Sequence, residues 1–140
     1  MVKNYKIRAP YFEIGPKCFM WGERMLKLAK TVDKIADKYD LDIIVTPQYA
    51  DIRLLAENTE RLHIYAQHID SLRPGRGLGS VLAESVKEAG AVGVMLNHAE
   101  RPLPSSTLVR TLNRARELGL MSIVCADSMD ETRAVAQMHP

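Results

Sequence analysis

The chain has only two cysteines, Cys18 and Cys125, far apart and in no CxxC pair. That excludes a disulfide framework and a zinc ribbon, and it makes a reduced, cytoplasmic protein the expectation. No apolar run nears the roughly 18 residues of a membrane span. The opening stretch MVKNYKIRAP has no apolar core of a signal peptide. An excess of one charge is missing as well: 19 basic residues face 17 acidic ones, a net +2. Charge alone therefore points to neither a nucleic-acid nor a membrane partner. Low-complexity segments and linkers are absent too. What remains is 140 residues, 46% hydrophobic and 26% charged. This is the composition of one globular domain spanning 1–140, and it excludes disordered, collagenous and coiled-coil chains.

Short β-branched runs alternate with amphipathic stretches. The runs are Ile7–Ile14, Ile43–Thr46, Leu62–Ala66, Val92–Leu96 and Ser122–Ala126. Short, nearly continuous and bounded by turn residues, they read as parallel strands buried on both faces. Between them, Met25, Leu28, Ala29, Val32, Ile35, Ala36 and Tyr39 repeat at helical spacing, with lysines opposite. Asp51–Thr59 and Val81–Ala89 predict shorter helices, the second closed by Gly90. Another helix, carrying Leu108, Leu112, Ala115 and Leu118, opens at Ser105 or Ser106 and closes at Gly119. Ser128 with Glu131 forms a capping box for the last helix. The fold class is α/β, with five βα units. Two architectures suit it: part of a (β/α)8 barrel, or an open doubly wound parallel sheet. Both gather chemistry at the carboxyl ends of the strands.

Those ends carry Glu13, Gly15 and Lys17; Pro47 and Gln48; Gln67, His68 and Asp70; Asn97, His98, Glu100 and Arg101; and Cys125 and Asp127. His98 is the best candidate for acid–base or electrophilic work, because imidazole titrates near neutrality and can both donate and accept. Glu100 and Arg101 could orient it; alternatively, Asn97 and His98 only cap the following turn. His63, inside a strand run, reads as a packed histidine, and His139 as a solvated end residue. No tight ligand spacing supports a metal on His68, His98 and Glu100, so no metal is expected. Nothing marks Cys18 or Cys125 as a nucleophile, and both read as buried structural thiols. Phe19, Met20 and Trp21 read as core or interface packing. The loop Pro74–Ser80 (PGRGLGS) could cradle a phosphate at a helix start, or form a turn or subunit contact.

The segment LNHAER, with AQH before it and VCA after it, is similar to the triosephosphate isomerase family, most of all its short archaeal-type branch. The resemblance runs from about Tyr11 to the C-terminus. It implies a (β/α)8 TIM barrel of which this chain is the N-terminal portion, with about five βα units. It also implies a cytoplasmic isomerase of glycolysis and gluconeogenesis that interconverts dihydroxyacetone phosphate and glyceraldehyde 3-phosphate through an enediol, with no cofactor. His98 takes the electrophile's role, with Glu100 organising the site and Asn97 beside them. Gly75, Arg76, Gly77, Leu78 and Gly79 become a subunit-interface loop of a homodimer or homotetramer. The implied partners are a small phosphorylated sugar and further copies of the chain, with no nucleic acid and no membrane.

Three departures stand out. Glu13 and Gly15 occupy the positions of the family's asparagine-x-lysine motif, and Lys17 can supply the missing charge only if the loop is rebuilt. A carboxylate there would repel a phosphate dianion, by about several kcal/mol at low dielectric, and would suit a hydroxyl of another sugar phosphate, such as a tetrulose phosphate. Leu78 replaces the interface loop's threonine. The family's glutamate base follows its sixth strand, so the 140 residues alone are expected to be inactive. The alternatives are a non-catalytic half-barrel interaction module and an open-sheet protein binding phosphate through GRGLG.

Overall fold

Each β-branched run becomes a strand and each strand is followed by a helix. A computed structural model describes residues 6–140; residues 1–5, part of the stretch read for a leader, lie outside the described residues. The order is β1 (Tyr11–Ile14), α1 (Gly22–Tyr39), β2 (Asp42–Val45), a 3-10 turn (Tyr49–Asp51), α2 (Ile52–Asn58), β3 (Leu62–Ala66), α3 (Ala83–Glu88), β4 (Gly93–Leu96), α4 (Ser105–Glu117), β5 (Met121–Val124) and α5 (Met129–Gln137). β1 begins at Tyr11 rather than Ile7. Pro10 has no N–H for a ladder, and before it the Arg8 N–H donates to the Asp42 carboxylate at 2.6 Å.

All four strand pairings are parallel, and the sheet order is β1-β2-β3-β4-β5. This order decides between the two architectures. A doubly wound sheet reverses its strand order at a switch point. Here each strand lies beside its sequence neighbour, as in a (β/α)8 barrel. The doubly wound alternative is therefore corrected to a five-stranded half-barrel. With right-handed crossovers throughout, every helix falls on the same face.

The period of two along a strand then separates two faces. Ile43, Val45, Ile64, Ala66, Val94 and Leu96 face the helices and join Met25, Ala29, Val32, Leu55 and Leu112 in the main core. Each such aliphatic, fully buried, contributes about 1.5–3 kcal/mol. Ile44, Tyr65 and Met95 alternate onto the opposite, concave face. The expectation of strands buried on both faces holds for β2 and most of β3 and β4, but not at the edges. Tyr11 and Phe12 of β1 are exposed and β5 is only half-buried, because each edge strand has a neighbour on one side only.

Three helices close with a left-handed residue and a bond reaching back across the last turn. They do so at Asp40 (Leu41 N–H to Ala36 O, 3.0 Å), at Gly90 (Ala91 N–H to Val86 O, 3.2 Å) and at Gly119 (Leu120 N–H to Ala115 O, 2.9 Å). The first N–H of α1 is capped from a distance: Gly22 donates to the buried Asp51 carboxylate at 2.8 Å. Buried Arg114 of α4 bridges Glu84 of α3 and Glu117. α3 starts at Ala83, two residues later than expected, because Val81 is paired with Asp70. The Val81 N–H donates to Asp70 Oδ2 at 2.7 Å, and the Asp70 N–H donates to the Val81 carbonyl at 2.9 Å. Among the described residues, no helix is long and apolar enough to cross a membrane.

Gly93 of β4 pairs with Tyr65 of β3, and the Tyr65 ring lies over it. A Cβ at Gly93 would sit 2.4 Å from the ring. Burial, helped by Tyr11, pushes the Tyr65 hydroxyl up to about 12, so it stays neutral. Gly93→Ala should cost about 1–3 kcal/mol through overpacking, read as a lowered urea midpoint with an unchanged slope.

Candidate functional site

A cleft of about 310 Å³ opens on the concave face at the carboxyl ends of the strands. Its walls include Glu13, Gly15, Lys17 and Cys18 after β1, Thr46 after β2, Gln67 after β3, Met95, His98 and Glu100 from β4 and its loop, and Cys125 after β5. Of the expected site residues, Glu13, Lys17, His98 and Glu100 thus meet in one place.

The β1 loop is rebuilt. Lys17 adopts left-handed backbone angles (φ 50), and the Phe19 N–H closes a turn on the Pro16 carbonyl at 3.0 Å. Two glutamines pin the Lys17 carbonyl: Gln48 Nε2 donates to it at 2.6 Å and Gln67 Nε2 at 3.1 Å. The Lys17 ammonium then reaches 3.3 Å from Glu100 Oε2. The turn at Lys17 thus brings a cation to the cleft wall, paired with Glu100. Beside it, Glu13 Oε1 accepts a hydrogen bond from Thr46 Oγ1 at 2.8 Å.

His98 is only partly exposed. Its Nδ1 accepts the Glu100 N–H at 3.0 Å, and Glu100 Oε2 stands 3.7 Å from the same nitrogen. An Nδ1 that accepts an amide proton leaves the neutral ring's own proton on Nε2. His98 therefore acts as a hydrogen-bond donor through Nε2.

Asn97, expected among the catalytic group, does not line the cleft. It is buried and left-handed (φ 55), a conformation that asparagine tolerates better than most residues. Its Nδ2 donates to the Cys125 carbonyl at 2.9 Å and to Glu131 Oε1 at 3.0 Å, and its Oδ1 accepts the Leu103 N–H at 2.9 Å. Asn97 is thus a positioning residue that turns the chain so that His98 follows at the rim. Glu131 is its partner on α5. The Ser128 hydroxyl accepts the Glu131 N–H at 3.1 Å, which is half of the expected capping box. The Glu131 carboxylate bypasses Ser128 and accepts the Asp127 N–H at 2.7 Å. That N–H first, and the Asn97 amide second, hold the Glu131 carboxyl below its ordinary value. Sequence reasoning missed Glu131 in this role, and it missed Thr46. For Thr46 a signal existed, since it shares the parity of Ile44.

Other expectations change. Cys18 and Cys125 both border the cleft, so neither is a buried structural thiol; Cys18 is exposed on the rebuilt loop and Cys125 half-exposed on the concave side. Burial, then Glu13 and Asp127, push the Cys125 thiol up, so it stays protonated. Met20 packs against the core, as expected, whereas Phe19 and Trp21 are exposed, which leaves the interface reading for those two. Gly75, Arg76, Gly77, Leu78 and Gly79 lie away from the cleft on an exposed loop, with Leu78 wholly in solvent. The phosphate-cradle reading is corrected: Val81 and Leu82 separate this loop from α3, and the Val81 N–H is already given to Asp70. His63 stands 3.7 Å from Asp42, and His139 is exposed.

His68 is buried outside the cleft, with Nε2 3.2 Å from Asp70 Oδ1. Burial lowers its pKa most, Arg101 adds to this, and Asp70 opposes it. The unfolded chain then binds a proton on His68 more readily than the fold does. Stability should fall as pH drops below about 6.5, the ordinary histidine value, and His68→Gln should flatten that part of the profile in urea titrations. Separately, Asn97→Ala leaves the Leu103 N–H and the Cys125 carbonyl without their partner, and should cost about 1–3 kcal/mol in the same assay.

Comparison with known proteins fits this geometry. A family model described as triosephosphate isomerase matches residues 17–139. A triosephosphate isomerase of Methanocaldococcus jannaschii is 36% identical over 119 residues, covering 85% of this chain and 54% of that protein. One of Methanobacterium bryantii is 40% identical over 119 residues, covering 85% and 52%. One of Sulfurisphaera tokodaii is 37% identical over 136 residues, covering 96% and 59%. The chain thus spans little more than half the length of these relatives. The match begins at Lys17, just past β1, and runs through the four following strands and all five helices of an in-sequence parallel sheet. On these grounds the chain belongs to the triosephosphate isomerase family.

Proposed function

We propose that the chain carries the electrophilic half of an aldose–ketose isomerase acting on a small phosphorylated sugar, with the family's pair, dihydroxyacetone phosphate and glyceraldehyde 3-phosphate, as the reference substrates. One observation carries this reading: the Glu100 N–H donates to His98 Nδ1, so that Nε2–H is the proton offered to the cleft. Removing a proton from the carbon beside a carbonyl builds negative charge on the carbonyl oxygen. A donor held in place before the reaction stabilises that charge without reorganising. The neutral ring can then pass protons between the two oxygens of the enediol.

Lys17 supplies the fixed cation for the phosphate group. Glu100 holds it at 3.3 Å while its own N–H orients His98, so one residue aligns both groups. The carboxylate base follows the sixth strand in this family. That stretch belongs to the length of the relatives that this chain does not span, and we assign the base to it. A homo-oligomer is proposed through the exposed apolar residues Phe19, Trp21 and Leu78. The non-catalytic half-barrel module has no observation of its own in its favour.

Calorimetric titration with dihydroxyacetone phosphate tests the cation. Lys17→Met should weaken binding about 10- to 100-fold, the worth of one charge-assisted contact. In a polypeptide carrying all eight βα units, His98→Gln should lower turnover about 10²- to 10⁴-fold. Unchanged turnover in that variant would remove His98 from the mechanism.

A further inference from the structure

Glu13 is a charged cleft residue whose chemistry neither the electrophile nor the phosphate requires. Its Oε1 accepts the Thr46 hydroxyl at 2.8 Å. Its Oε2 accepts no hydrogen bond from any described residue, and the side chain is exposed on the cleft wall. Thr46 itself is buried, so the donor that orients the carboxylate is held by packing.

Gly15 shows that the carboxylate is built in rather than tolerated. Its backbone angles are not among the left-handed ones, so conformation does not demand glycine there. Space favours it: a Cβ would come within 3.0 Å of Glu13 Oε1, 3.3 Å of Thr46 Oγ1 and 3.4 Å of Glu13 Oε2, so the carboxylate would have to shift by a few tenths of an ångström. A side chain at position 15 and the Glu13–Thr46 pair compete for the same volume. The cation has moved to Lys17, where Gln48 and Gln67 lock the new loop. Carboxylate, glycine and relocated lysine therefore form one self-consistent arrangement.

A carboxylate accepts hydrogen bonds and cannot donate them when ionised. It repels a phosphate dianion and attracts a hydroxyl. In a triose phosphate, the carbonyl and the hydroxyl are both taken up by the reacting centre and the rest is phosphate. A hydroxyl left over for Glu13 needs at least one more carbon. We propose that Glu13 determines specificity by accepting a hydrogen bond from such a hydroxyl, so that the preferred substrate is a phosphorylated sugar of four or more carbons. This rests on the sugar-phosphate isomerase reading and names its substrate class.

The test is calorimetric titration of the wild type, Glu13→Gln and Thr46→Val with dihydroxyacetone phosphate and with a tetrulose phosphate, after circular dichroism has verified folding. The wild type should bind the tetrulose phosphate about 10- to 100-fold more tightly, the scale of one hydrogen bond to a charged group. Glu13→Gln should reduce that ratio at least tenfold and bind dihydroxyacetone phosphate more tightly than the wild type. Thr46→Val, which removes the orienting donor, should reduce the ratio in the same direction. A wild type that prefers the triose phosphate overturns the proposal. So does a ratio unchanged in both variants, and in either case the isomerase reading stands. In a polypeptide carrying all eight βα units, folded wild type that binds neither sugar phosphate overturns both together.

Discussion

Everything in this molecule hangs on a parallel ladder whose strands follow one another in chain order. A parallel neighbour can be reached only by a crossover, and a right-handed crossover always returns over the same face. Four such steps in one direction place their helices on one side of the sheet, and α5 packs on the same core through Val135. The aliphatic residues facing that side, from Ile43 to Leu96, form the core. The opposite side is left for a different purpose. Because every strand points the same way, the ladder also gathers five loops on one rim, and that rim carries Glu13, Thr46, Gln67, His98 and Cys125.

The site depends on how two of those loops are held. After β4, Asn97 takes a left-handed turn and spends its whole amide on the framework: one bond to the β5 loop, one to α5 and one to its own loop. Its neighbour His98 is thereby free to face the cleft, with its tautomer set by a backbone N–H. After β1, two glutamines grip the Lys17 carbonyl and send the ammonium across to Glu100. Glu100 connects the two loops. Its N–H serves the imidazole and its carboxylate pairs with the lysine, so the two loops share one residue.

The substitutions that depart from the family motif make sense against this frame. A carboxylate at position 13 needs a hydroxyl donor, which Thr46 provides, and a neighbour without a side chain, which Gly15 provides. A cation lost from position 15 needs another route into the site, and the left-handed turn at Lys17 provides one. Each change removes a clash or an unpaired charge that another would have left. The cleft is therefore mixed in character: one carboxylate accepts the Thr46 hydroxyl, one is paired with the lysine, and an imidazole stands beside them.

Local pattern was enough for the elements. The β-branched runs named all five strands, the apolar spacing named all five helices, and Gly90, Gly119 and Ser128 marked their ends, because each of these is decided within a few residues. His98, Glu100, Lys17 and Glu13 were legible as rim residues for the same reason: a strand's carboxyl end is a local fact. Strand order was not legible, since the same alternation serves a doubly wound sheet, and only the long-range ladder separates the two. Nor was the geometry around Lys17, whose turn depends on glutamines 31 and 50 residues away. The same holds for Glu131, which looked like half of a capping box and serves Asn97, 34 residues away. Cys125 looked like a core thiol because composition cannot tell the helix-facing side of an edge strand from its open side, and Cys18 because composition cannot place a loop residue at the surface. The sequence by itself determined which segments would be strands and which chemistry would stand at their ends. Tertiary structure alone decided which of those groups meet, because a hydrogen bond needs about 3 Å and no spacing along the chain measures that distance.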